Sequence, residues 1–244
     1  MLKIVQKLFI KIRKAIKRPQ LIKIVLLKNR LIRRILGIDK KLVAAYTGQH
    51  SVKKIHLGCG DHELCGWLNT DSSPLPKVVY LDATKTFPFP DGTFDYVFSE
   101  HLIEHMNYAK GLHMLSQCYR ILKPGGRIRI ATPDLGFLIA LCATNLSGLQ
   151  QQYIKWMMDT YMPEVVQYDA VFVVNYFFRN WEHCFIYDEK TLRWVLEHSG
   201  FTAIARHNVG SSQVQELKGI ENQARMPAGF LALETIVLEA VKPV

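Results

Sequence analysis

In residues 1–18 the apolar side chains Leu2, Val5, Phe9, Ile12 and Ile16 step by three and four, and Lys3, Lys7, Lys11, Lys14 and Arg18 keep the same step on another face. That period is helical and predicts a helix with one apolar stripe and a cationic flank. Pro19 interrupts it. Leu21 to Leu36 repeats the pattern less cleanly, with Ile24, Leu27, Leu31 and Ile35 beside Lys23, Lys28, Arg30, Arg33 and Arg34, up to a stop at Gly37. From residue 53 the pattern changes. Short β-prone runs at Lys53–Leu57, Val78–Leu81, Tyr96–Ser99 and Arg127–Thr132 alternate with helical stretches at Tyr108–Leu122, Leu135–Leu146 and Glu189–Ser199. Thr202–Arg206 and Glu234–Val241 read as late strands, with no room for a helix after the second. The alternation predicts an α/β domain: a mainly parallel sheet with an antiparallel strand at its end. Residues 147–182, rich in Tyr, Met, Trp and Phe, fit neither period and read as an insertion or lid. The expected organisation is a helical arm over 1–45 and one domain over 46–244.

Charge sharpens that division. The chain has 244 residues and a formal net charge of +10. Residues 1–41 carry fourteen Lys and Arg against the single acid Asp39, a net +13, and the rest carries seventeen against twenty, a net −3. A mildly acidic body bears a strongly basic arm. An apolar face with a polybasic flank suits the surface of an anionic membrane. Packing of the stripe on the body or a second subunit, and nucleic-acid binding, are the other readings. The last is the least favoured, because single-strand recognition interleaves aromatics and the arm has only Phe9. The five cysteines form no C-x-x-C pair and their number is odd, so free thiols are expected and a zinc site is not. No apolar run reaches 18 residues and no secretion signal is evident, so the body is expected in the cytoplasm, peripheral at the inner membrane face.

Ile55-His56-Leu57-Gly58-Cys59-Gly60 places Gly-x-Gly at the carboxyl end of the first strand, where open α/β sheets bind ligands. Glycines there let the backbone turn tightly and approach a cofactor closely. A dinucleotide site would present a bare helix N-terminus to a pyrophosphate, but here Asp61, His62 and Glu63 follow. Carboxylates repel phosphate and favour a ligand carrying an ammonium and a sulfonium, so the charge points to S-adenosylmethionine. Asp71 ends a short apolar stretch and can accept from both ribose hydroxyls, or cap the turn at Ser72-Ser73-Pro74. Asp82 can accept from an adenine amine, or start the next turn.

The run from Ile55 to Pro133 resembles the class I S-adenosylmethionine-dependent methyltransferases, in particular their type 11 branch. The segments that carry the resemblance are His56-Leu57-Gly58-Cys59-Gly60, Pro88–Asp95, His101-Leu102-Ile103-Glu104-His105 and Arg120–Gly126. It implies a Rossmann-like, seven-stranded sheet with helices on both faces and the last strand antiparallel. It also implies a cofactor stretch of His56, Gly58, Cys59 and Gly60, with the two glycines at the methionine moiety. Asp71 would hold the ribose, Asp82 and Ala83 border the adenine, and Ser99 and Glu100 lie under the amino-acid end. One departure is plain. Only eleven residues separate Gly60 from Asp71, so the first crossover helix must be very short or replaced by a loop. The Gly66-Trp67-x-Asn69-x-Asp71 pattern in that gap resembles methyltransferases encoded with surface-glycan enzymes.

Methyl transfer to a hydroxyl needs the acceptor aligned and its proton removed. The candidate bases are His101, just past the fourth strand, His105 four residues on, Asp134 after the fifth strand, and His183 in Trp181-Glu182-His183-Cys184-Phe185. Imidazole suits the role because it titrates near neutral pH. His101 leads. His105 can equally pack near the fourth strand and Asp134 can cap the following helix. His101 and His105 have the spacing of a metal pair on a helix face, but no third ligand shows a clear spacing, so no metal is expected. The expected acceptor is a sugar hydroxyl of a lipid-linked or cell-surface glycan. A quinone or other lipid acceptor, RNA methylation through the arm, and a non-catalytic S-adenosylmethionine-binding scaffold stay open.

Overall fold

The computed structural model describes residues 19–73 and 75–244. The helix expected over residues 1–18 lies outside them. Two compact units meet in sequence between Ala83 and Thr84.

The first unit opens with α1 (Pro19–Ile35) and α2 (Ile38–Gln49), joined at Gly37, whose φ of +61° is a left-handed turn that only glycine adopts freely. The stop expected at Gly37 is therefore a corner, and α2 runs through residue 45. Three parallel strands follow: β1 (Lys54–Leu57), β2 (Leu68–Asp71) and β3 (Val79–Tyr80). No helix separates β1 from β2, and turns fill the gap. Tyr46 fastens α2 to the strands. Its buried hydroxyl accepts from Lys54 N at 2.7 Å and lies 2.9 Å from Lys54 O and 3.2 Å from Gly66 O. Arg33 of α1 is buried as well. It pairs with Asp39 at 2.5 Å and donates to Val78 O at 2.6 Å, while Asp39 accepts from Tyr80 N at 2.9 Å. The ion pair thus satisfies backbone groups at the β3 edge, where unpaired groups invite other chains.

The second unit contains β4 (Phe94–Glu100), α3 (Tyr108–Ile121), β5 (Leu122–Pro133) and α4 (Leu135–Ala140). After these come α5 (Gly148–Tyr161), α6 (Ala170–Arg179), α7 (Glu189–His198), β6 (Thr202–His207), α8 (Phe230–Glu234) and β7 (Thr235–Val241). β4 and β5 are parallel, and β7 runs antiparallel to both β5 and β6. The sheet order is β3-β2-β1-β4-β5-β7-β6, the expected seven strands with the last reversed. β7 is buried at six successive positions, Thr235 to Ala240, as a strand covered on both faces must be.

Two helical expectations change. α4 stops at Ala140, short of the Leu146 that its apolar run suggested. The 147–182 stretch is two helices. Ser147 and Gln150 cap α5 reciprocally and Asp169 caps α6. Tyr153, Ile154, Met157 and Met158 of α5 and Ala170, Val173 and Phe177 of α6 join Phe137, Leu138 and Phe230 in one core cluster. α6 is apolar around most of its circumference, which hides its helical period in the sequence.

Candidate functional site

In the first unit the backbone after β1 turns twice through left-handed conformations, Gly58 at φ +66° and Gly60 at +55°. A Cβ on Gly60 would meet nothing within 4 Å, so the glycine is there for its φ, and open space lies beside it. Asp71, at the carboxyl end of β2, accepts from Gly60 N at 3.0 Å and from Ser73 N at 2.6 Å. Asp71 thus caps the turn, one of its two expected roles, and also braces the glycine loop. A carboxylate has about four acceptor sites, which leaves capacity for ribose hydroxyls. Asn69 closes the rest of the loop, accepting from Leu64 N at 2.9 Å and donating to Leu64 O at 3.0 Å and Trp67 O at 3.3 Å. Gly66 supplies another left-handed turn at φ +75°, and Lys54 lies over the Trp67 ring at 5.5 Å.

The loop is electronegative. Burial, then the carboxylates of Asp71, Glu63 and Asp61, push the Cys59 thiol up to about 12. That potential repels phosphate and suits a sulfonium and an ammonium, so the residues present fit S-adenosylmethionine. His56 is buried on β1, and burial together with His62 lowers its pKa to about 3. Ala83 is buried and Asp82 partly exposed, just past β3.

In the second unit, the carboxyl end of β4 opens onto a cluster of acids and imidazoles. His101 has a positive φ of 46°. Its side chain is 8% exposed, with Nδ1 3.4 Å from Glu104 Oε1 and Nε2 3.3 Å from Thr235 Oγ1. Glu104 is fully buried, and its Oε2 accepts from Thr132 Oγ1 at 3.0 Å. Burial raises the Glu104 carboxyl, but the adjacent His101 and His105 outweigh it and hold the group below the usual range. Glu234 accepts a very short hydrogen bond from the Tyr153 hydroxyl, and burial raises the pKa of both groups. His183 is brought in by backbone pairing: Cys184 N and Phe185 N both donate to Glu104 O, at 2.7 and 3.1 Å. Its ring meets that of His105 edge-on at 4.9 Å between centroids. His183 Nδ1 lies 2.7 Å from Phe177 O, and a carbonyl only accepts, so Nδ1 carries the proton and Nε2 the lone pair. Burial lowers the His183 pKa.

The remaining sequence-predicted residues are placed as follows. Asp134 caps α4, accepting from Gly136 N at 2.7 Å, and lies 3.6 Å from Arg206. Ser99 and Glu100 are buried on β4, and both Glu100 oxygens accept from Asn222 N at 3.1 Å. Sequence reasoning did not single out Glu104, Glu234, Tyr153 or Thr235. A Glu between two histidines in His101–His105 was a signal for the first, but the others carry none.

A parallel sheet whose first strand runs into a glycine loop, braced by an acid on the second strand, defines a cofactor-binding α/β enzyme. A family model described as a methyltransferase domain matches residues 31–206, and the chain belongs to that family. It is an S-adenosylmethionine-dependent methyltransferase, as the motif resemblance implied. Among solved structures it is similar to a SAM-dependent methyltransferase from Archaeoglobus fulgidus, at 18% identity over 89% of this chain and 93% of that one, TM-score 0.48. It is also similar to a possible histamine N-methyltransferase from Thermotoga maritima, at 15% identity over 90% and 99%, TM-score 0.44. A third similar structure is the phosphoethanolamine N-methyltransferase 2 of Haemonchus contortus in complex with S-adenosyl-L-methionine, at 15% identity over 84% and 52%, TM-score 0.43.

Proposed function

We propose that this methyltransferase acts at an anionic membrane surface on a hydroxyl of a lipid-linked or surface glycan. The observation that carries the reading is the outer face of α1. Leu27, Leu31, Ile32, Ile35 and Leu36 are between 53% and 73% exposed, and Lys28, Arg30 and Arg34 stand exposed beside them. Four large apolar side chains on one face of α1, continued by Leu36 in the turn that follows, with exposed cations among and beside them, are what an interfacial helix inserts between lipid headgroups. No helix among the described residues is long and apolar enough to cross a membrane, and the attachment we propose is a peripheral one. The Gly66-Trp67-x-Asn69-x-Asp71 resemblance to glycan-cluster methyltransferases supplies the acceptor class.

Bound at the glycine loop, S-adenosylmethionine supplies an electrophilic methyl group on its sulfonium. Gly58, Gly60 and Asp71 hold it through backbone shape and the carboxylate, and Asp61 and Glu63 provide the favourable field. The candidate bases for a hydroxyl acceptor are in the imidazole cluster of the second unit, where His183 Nε2 presents a fixed lone pair and His101 is the more enclosed alternative.

The test is sedimentation with phosphatidylglycerol vesicles, together with transfer of labelled methyl to a lipid-linked saccharide carried in them. The wild type should pellet with the vesicles and label the saccharide. The Leu31→Glu/Ile35→Glu double variant should stay in the supernatant and keep its S-adenosylmethionine affinity. Equal pelleting of both proteins sinks the membrane reading, and label entering a quinone but no saccharide sinks the glycan.

A further inference from the structure

Glu104 Oε1 is the feature the methyl-transfer reading leaves unexplained. The side chain is fully buried, and among the described residues this oxygen has no hydrogen bond of acceptable geometry, although Oε2 is satisfied by Thr132. A buried carboxylate oxygen without a well-formed hydrogen bond is costly. Its nearest polar neighbours are His101 Nδ1 at 3.4 Å and His105 Nε2 at 4.0 Å. One ligand atom from each of Glu104, His105 and His183 can be chosen so that all three lie within 4.8 Å of one another.

We propose that Glu104, His105 and His183 form a binding site for one divalent first-row transition-metal ion, with Glu104 Oε1, a His105 ring nitrogen and His183 Nε2 as ligands. Two neutral imidazoles and one carboxylate are a donor set that zinc and its neighbours accept, with further positions left open. His183 is already set for the task. Its Nδ1–H donates to Phe177 O, the outer contact that fixes a ligating imidazole's tautomer and points its other nitrogen at the ion. Metal–ligand bonds of about 2.1 Å put tetrahedral ligands roughly 3.4 Å apart. The set therefore closes by up to about 1.4 Å, a movement that the His105 side chain, 35% exposed, has room to make.

The backbone around the cluster is consistent with a built site. Trp181 and Glu182, immediately before His183, both have positive φ, 54° and 61°, as does His101 at 46°. Only four non-glycine residues among those described do so, and the fourth is Ala203. Such conformations persist where surrounding structure holds them, often at functional sites. Here the two amide bonds from Cys184 and Phe185 to Glu104 O hold the segment. The spacing rule failed to find the site because its ligands are not His101 and His105. They are two adjacent residues and a third that arrives 78 positions later, so no periodic pattern marks them. An ion there takes up the His183 Nε2 lone pair, so that nitrogen no longer serves as a base. The ion's open positions take water or an acceptor oxygen and lower that oxygen's pKa, which leaves His101 as the imidazole free to accept the proton. Nothing in the site depends on the acceptor being a sugar.

The test is titration of the tag-free, full-length, chelator-treated protein with Co²⁺, read by visible absorption, and with Zn²⁺, read by calorimetry. One ion per chain is expected, with a visible cobalt band that carries no thiolate contribution. His183→Ala and His105→Ala should each weaken binding at least 100-fold, and Glu104→Gln, similar in size, should do the same. Cys184→Ser removes the exposed thiol next to the site and should leave binding unchanged. If the buried Glu104→Gln variant fails to fold by circular dichroism, the two histidine variants decide alone. Absence of saturable binding, or binding that survives His183→Ala, overturns the proposal. Because the readout is metal binding without any acceptor, its outcome is independent of the glycan and membrane readings.

Discussion

The glycine loop of the first unit is closed by contacts that reach no more than eleven residues along the chain: Gly60 N and Ser73 N to Asp71, Leu64 to Asn69. Backbone amides do most of the donating. The acid–imidazole cluster of the second unit is made the other way. His101 meets Thr235 across 134 residues, Thr132 meets Glu104 across 28, and Tyr153 meets Glu234 across 81. Side chains there satisfy side chains, and most are buried. A site closed locally by backbone can present charge at low cost, because amides and water share the solvation. A site of buried ions depends on every member being present, since each lost partner strands another charge. Substitutions should therefore act gently on the first region and severely on the second.

The most severe test is Arg129 on β5. Its fully buried guanidinium donates to Glu221 and Glu239, each at 2.5 Å, and to Ser211 O at 2.9 Å. It ties residues 208–222 to the sheet, and Asn222 in turn donates to Glu100. Arg129→Met should cost about 3–5 kcal/mol in urea unfolding, because two buried carboxylates lose their counter-charge. Adding Glu221→Gln and Glu239→Gln should return part of that loss, since the stranded charges go too. A loss below about 1 kcal/mol would mean that water reaches the triad, and the contrast between the regions would fall with it.

Asp71→Ala is the matching test on the other side. Two backbone amides lose an acceptor near solvent, at about 1 kcal/mol each. The chain should stay folded while S-adenosylmethionine affinity by calorimetry drops roughly 10- to 100-fold, or about 1.4–2.8 kcal/mol. Unchanged affinity would remove Asp71 from the cofactor site and leave it a turn cap.

The same contrast explains how much could be read before the fold was known. The strands β1, β4, β5 and β7 appear as apolar β-prone runs because burial leaves little room for polar residues, whereas β6, exposed or half-buried along its length, is marked only by its place between the Gly200 stop and the last strand. The glycine loop is legible because positive φ demands glycine at Gly58 and Gly60, and because its brace, Asp71, lies close by in sequence. α2 was not separated from the arm, since its anchors are single side chains, Asp39 and Tyr46, whose partners lie in β1 and β3. Within the cluster, His183 stands out in the sequence for its chemistry, but the reason it matters is a backbone pairing with Glu104 that has no sequence signature. Glu234 and Tyr153 look like an ordinary helix-end acid and a core aromatic. Only the fold shows that each is the other's partner.

His56 gives the smallest effect at neutral pH, where it is silent, and an effect that grows only in acid. It probes a place where the first region, like the second, buries a titratable side chain. It is a titratable ring buried on β1, with a folded pKa near 3 set by burial and then by His62, against 6.5 in the unfolded chain. The folded state therefore favours the neutral ring. The stability this gives is fully present above pH 6.5 and is lost as pH falls from there toward 3, because the unfolded state takes up the proton first. Over pH 6 to 4 the loss should be about 1.4 kcal/mol per pH unit. In the His56→Asn variant that component is missing, so its unfolding free energy should fall less steeply by the same amount. Wild-type and variant curves that run parallel in acid would show that His56 is protonated in the folded protein. The first region would then hold a buried cation beside its acidic loop, and local backbone closure would no longer be what sets it apart.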